Sequence, residues 1–214
     1  MELTGVMLYL NRIFEWITKL ACANLLWLMF VMLGLGIFGF MPATSAMFAV
    51  ARKWMHGETD IRLLPTFWHA YKSEFMRANL IGLGCVIIGA ILVFDILFFQ
   101  TSDHLFYQMS LGVMIMLCLI YCLVLVYIFP LLAHYDLKIV QLAKHAFIIG
   151  ICHPFTSLLM LLTTAVIGML TFIFPPLIFL FSISVWSLAL MWLAQRAILS
   201  IEHKKKRWAK DTPV

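Results

Sequence analysis

The sequence predicts an all-α, polytopic membrane protein with five transmembrane helices, and three observations carry that prediction. Hydrophobic residues make up 64% of the 214 positions and charged residues only 12%, against roughly 45–50% and 25% in soluble domains. Five runs nearly free of charge, close to 20–40, 78–99, 109–132, 155–174 and 177–199, are long enough at about 1.5 Å per residue to cross a hydrocarbon core of about 30 Å. Lysine and arginine gather in alternate connections between those runs, as the positive-inside rule requires. The chain reads as a single integral membrane domain over 1–214.

The first run ends in Gly34-x-Gly36-x-x-Gly39, the spacing of a dinucleotide-binding fingerprint. A genuine fingerprint follows a short buried strand and opens a helix. Here the preceding residues are a long apolar helix, so the glycines are expected at the end of a membrane span, where small residues allow close helix packing. The long polar lead before residue 20 and the four spans that follow favour a permanent helix over a cleaved leader.

The connection between spans one and two is too long for a turn. Pro42 suits a helix start and Gly57 its end, with Ala43, Met47, Val50 and Trp54 on one apolar face. From Pro65, Phe67, Tyr71 and Phe75 recur every fourth residue. Both stretches are expected as amphipathic helices at the cytoplasmic surface.

Span two carries Gly82, Cys85 and Gly89, a small-residue seam for close contact within the protein or with a partner, including a second copy of the chain. Its Asp95 is the one carboxylate within a run, and an ionisable group at membrane depth is a functional candidate by default. Span three holds Cys118 and Cys122 on one face, read as packing residues. With Cys22, Cys85 and Cys152 in or beside apolar runs, the five cysteines form no disulfide framework.

The connection 133–154 repeats the amphipathic pattern, with Leu137, Val140, Lys144, Phe147 and Ile151 at helical spacing after Asp136. Pro175-Pro176 makes the turn between spans four and five. The tail 200–214 contains Lys204, Lys205, Lys206 and Arg207 beside Trp208, a cationic cluster for anionic lipid headgroups. Counting these with Arg52, Lys53, Arg62, Lys72, Arg77, Lys138, Lys144, Arg196 and Lys210 puts 13 of the 15 cations on one side. Arg12 and Lys19 remain on the other. The expected orientation is N-terminus outside and C-terminus cytoplasmic.

The segments "NLLW" at 24–27, "PATSAMFAVARKW" at 42–54, Phe67, Phe75, "FPLLAHYDL" at 129–137 and His153-Pro154 resemble the YesL-like family of bacterial membrane proteins. Met41 and His134 depart from that family's pattern of Gly and Arg. The family has no established activity, and its members are often encoded beside oligosaccharide uptake systems. The resemblance therefore implies an accessory or regulatory role with a carbohydrate ABC importer, whose permease would be the partner. It supplies no catalytic residues.

A search of the residues for chemistry yields little. Asp95, Asn24, Thr163 and Ser184, with Tyr121, Thr164 and Ser182, could line a path for a sugar-like solute in a small independent permease. The same residue types are ordinary glue between membrane helices. Six of the seven histidines, His56, His69, His134, His145, His153 and His203, fall on the expected cytoplasmic side, but none stands at ligand spacing. No metal, cofactor or nucleic acid is expected. Nucleophile triads and phosphate loops are lacking, so the reading is of a non-enzyme.

Overall fold

The computed structural model describes residues 2–100, 105–135 and 137–211, with side chains over 7–100, 110–135 and 137–200. The described residues form α1 (Glu2–Leu33), α2 (Ile37–Met55), α3 (Leu63–Phe99), α4 (Leu105–His134), α5 (Ile139–Cys152), α6 (Pro154–Ile173), the short α7 (Pro176–Leu180) and α8 (Ser182–Asp211). Five stretches are long and apolar enough to cross a membrane: Met7–Leu33, Leu63–Phe99, Ser110–His134, Pro154–Ile173 and Ser182–Ser200.

The glycines of the first run build a helical hairpin rather than the end of one span. The Leu35 amide donates to the Met32 carbonyl and the Gly36 amide to Val31, at 3.0 and 2.9 Å. With Leu35 at φ 57, this is a Schellman cap in which leucine occupies the left-handed position usually held by glycine. Gly36 follows at φ 76 and the chain reverses into α2. A Cβ on Gly34 would run into the backbone of Gly39, so the two helices meet at their tightest point where neither has a side chain. The span expected over 20–40 therefore stops at Leu33.

α2 runs back along α1. The Trp16 and Trp54 rings lie 5.7 Å apart near one end, and Trp27 meets Phe40 at 5.6 Å near the other. Trp27 also donates its indole N–H to Thr44 Oγ1 at 3.2 Å, and Thr44 donates to the Phe40 carbonyl at 2.7 Å. α3 then runs antiparallel to α2, so α1 and α3 point the same way.

Two expectations change here. The stretch 42–54 is no surface helix: from Gly39 to Trp54 α2 buries eleven residues, packed by α1, α3, α4 and α8. Its polar residues hid it from a hydropathy reading. The second amphipathic stretch is the first half of one continuous α3, with Phe67 and Tyr71 buried against Phe30.

Pro42 lies inside α2 and has no N–H to give the carbonyl four residues back. That carbonyl, on Phe38, accepts instead from Asn79 Nδ2 of α3 at 3.0 Å. α4 runs antiparallel to α3, α5 lies against α4, and α6 pairs antiparallel with α8 through Thr164–Trp186 and Thr171–Ser182 bonds. The fifth span begins at Ser182 rather than 177 because the prolines start a separate five-residue helix, α7, and Phe181 breaks the chain again. Two apolar cores result. One joins α1, α2 and α3 around Met47 and Phe67, and the other joins α2, α4, α6 and α8 around Phe48, Tyr127 and Met191.

Candidate functional site

Most polar residues that the sequence singled out hold helices together. Asn24 is fully buried. Its Nδ2 donates to the Ile178 carbonyl of α7 at 2.6 Å, and its Oδ1 accepts from the Ile183 and Ser184 amides at 3.2 Å each. One side chain thus satisfies groups left over on both sides of the Phe181 break. Ser184 completes the turn by donating to the Phe181 carbonyl at 3.0 Å, and Thr163 donates to Leu159 within its own helix at 2.7 Å. These three residues do not converge on a common space.

Asp95 lies one turn before the end of α3, half-buried, with no hydrogen bond or ion pair among the described residues. The seam residues face two different helices. A Cβ on Gly82 would strike the Met41 side chain of α2, whereas Gly89 leaves room for the Tyr121 hydroxyl of α4, which donates to the Cys85 carbonyl at 2.6 Å. Lys204, Lys205, Lys206 and Arg207 lie in α8 beyond the described side chains. Among the described residues no three His, Cys, Asp or Glu side chains cluster as a metal site would require.

A second group of residues collects at the end of the bundle where α2 meets α3, with little local signal to announce it. Arg52 donates to the Ala133 carbonyl at 2.7 Å, and Arg77 donates to the Leu137 carbonyl while pairing with Glu74 at 3.4 Å. The last carbonyls of α4 lack intrahelical partners and carry partial negative charge, so a guanidinium is well matched to them. The His56 and His134 rings stack 6.4 Å apart nearby.

Between these anchors α2 and α3 separate into a slot of about 500 Å³. Ser45, Ala49 and Lys53 line one wall, Thr66, His69, Ala70, Ser73 and Glu74 the other, and Leu132 and Ala133 close it. The spacing i, i+4, i+8 on α2 with alanine in the middle was the available signal. An apolar cleft of about 660 Å³ opens on the other side of α3, lined by Phe38, Met41, Leu80, Gly82 and Leu83 with Arg77 and Asn79 at its polar edge.

The sequence of this chain is 37% identical to the Bacillus subtilis protein named "Uncharacterized protein YteU", over 95% of the chain and 91% of that protein. It is 33% identical to "Uncharacterized protein YesL" of the same organism, over 92% and 93%. "Uncharacterized protein YesV" is also 33% identical, over 88% and 90%. The family model described as "Protein of unknown function, DUF624" matches residues 20–96. The chain belongs to the YesL-like family. The stretch matched by the family model takes in the second half of α1, the hairpin turn, all of α2 and nearly all of α3. Within it lie Asn24, Trp27, Pro42 and Thr44, residues of the motifs that carried the resemblance, and they form the interlock of the hairpin with α3 and α8. No solved structure matches.

Proposed function

We propose that this YesL-like protein is a non-enzymatic component of a bacterial cytoplasmic membrane that assists or regulates an oligosaccharide ABC importer by packing against its permease. One observation carries the reading against that of an independent permease: the centre of the bundle is occupied by α2, with Ala43, Ala46, Met47, Phe48 and Val50 fully buried. A helix packed by α1, α3, α4 and α8 supports a filled centre, and a filled centre directs function to the surfaces. The importer as partner rests on the family resemblance.

The hairpin supports a reading of sidedness. α1 starts at the end of the bundle where the basic α2–α3 connection lies, as the Trp16–Trp54 contact requires. With Arg52, Lys53 and Arg62 cytoplasmic, Arg12 and Lys19 join them, and all 15 cations fall on one side. The proposed orientation has both termini cytoplasmic, an alternative to the external N-terminus expected from the sequence. α2 is then the additional crossing.

The test is crosslinking with mass spectrometry on intact native membranes, mapping contacts of the described surface, together with oligosaccharide uptake in a deletion strain. Crosslinks to an ABC permease and reduced uptake are expected. Solute flux into liposomes containing the purified protein alone, lost in Asp95→Asn, would instead establish the independent permease.

A further inference from the structure

We propose that the slot between α2 and α3 binds a small zwitterion, with its anionic group at Lys53 and Thr66 and its ammonium at Ser45 and Glu74. This is the chemistry of a phosphoethanolamine headgroup or of a free zwitterionic solute, and it does not depend on the importer reading.

The slot has a built wall. Ser45 is 2% exposed and lines the cavity, yet its hydroxyl has no hydrogen-bond partner among the described residues. That hydroxyl opens on the cavity, where a donor or acceptor of a ligand can meet it. The side chains of Thr66 and Lys53, both half-buried on the same cavity, also make no hydrogen bond or ion pair among the described residues. Ala49 and Ala70 stand between the polar residues of the two walls and leave the middle open.

The charges are ordered along the slot. Because α2 and α3 are antiparallel, Lys53 faces Pro65 and Thr66 at one end, and Ser45 faces Ser73 and Glu74 at the other. Eight residues of α2 separate those ends, about 12 Å at 1.5 Å per residue. Side chains of a helix lean toward its N-terminus, so Lys53 on α2 and Glu74 on α3 reach toward each other and shorten the gap.

Lys53, with exposed His69 a turn of α3 away from Thr66, asks for an anion. The opposite end offers acceptors. Both oxygens of Glu74 meet Arg77 at 3.4 Å, and a carboxylate with about four lone-pair positions accepts several donors at once. An ammonium group meets both Glu74 and Ser45, whereas a purely anionic ligand would place its second charge against the carboxylate.

The experiment uses the full-length protein in mixed micelles of phosphatidylethanolamine and phosphatidylglycerol, read by native mass spectrometry, with soluble sn-glycero-3-phosphoethanolamine as competitor. Retention of phosphatidylethanolamine over phosphatidylglycerol identifies a lipid headgroup. Binding of the soluble compound without lipid discrimination identifies a free zwitterion. In either case Lys53→Gln should weaken binding about tenfold, the loss of one charge-assisted bond. Ala49→Phe, which fills the slot and leaves every charge in place, should abolish it. Equal retention of both lipids with no binding of the soluble compound would overturn the proposal. So would binding that survives both substitutions.

Discussion

Asn24 shows how a single amide can close a break in a membrane helix. It gives one hydrogen bond to α7 and takes two from the start of α8, so Asn24→Ala leaves three backbone groups without partners. Each such group costs about 1–3 kcal/mol when buried, and neighbouring relaxation recovers part of that. We expect a loss of about 3 kcal/mol, measured as a lowered unfolding midpoint of the purified protein in detergent. Asn79 plays the same part for the Phe38 carbonyl that Pro42 leaves open, but at a half-buried position. In the sequence Asn24 looks like a candidate for contact with a solute, and Asn79 carries no such signal. What gives Asn24 its part is where its partners lie: Ile178 and Ser184 are more than 150 residues from Asn24, and no local pattern joins them.

Among the elements, α2 is where reading the sequence and folding the chain part company. The apolar stripe of Ala43, Met47, Val50 and Trp54 is real, and each of these residues is buried. It packs on α1 and α3 rather than on lipid, and the opposite face is covered as well. Periodicity reports that a face is apolar, and it does not report what covers it. Composition misled for the same reason: Thr44 and Ser45 lower the apolar content of α2, yet Thr44 is bonded to Phe40 and Trp27. The five long apolar helices were legible because each carries its own signal. The hairpin was not, since the Schellman turn at Leu35 uses a residue that rarely marks one. Cysteine labelling separates the two views of α2. With the natural cysteines replaced, Ala46→Cys in the folded protein should resist a membrane-permeant maleimide, whereas His56→Cys should label readily. Fast labelling at position 46 would return α2 to the surface.

At the scale of the whole molecule, the hairpin supports the proposal that both ends of the chain lie on the cytoplasmic side. α1 and α3 run in the same direction, which two consecutive crossings joined by a cytoplasmic loop could not do. The basic α2–α3 connection and the start of α1 share one side. Reporter domains that are active only in the cytoplasm should therefore work at both termini. An N-terminal reporter active only outside would mean that α1 does not cross beside α2. The same arrangement gathers Arg52, Arg77 and the slot of Ser45 and Lys53 at the face from which the basic connections emerge, so the polar chemistry of the described residues is concentrated there.

The interior position of α2 also bears on how the protein is made. Arg52 and Lys53, with the small polar residues before them, leave α2 without the apolar strength of the five long spans, and a bilayer has little reason to accept it alone. It follows α1 by a three-residue turn, so it emerges from the ribosome before any helix other than α1 can shield it. Three of the helices that cover it, α3, α4 and α8, lie downstream, and α8 is the last of all. A nascent chain of this protein therefore carries an unfinished centre until synthesis is nearly complete, and a product truncated before α8 exposes to the membrane's quality-control proteases the helix that the finished protein hides most thoroughly.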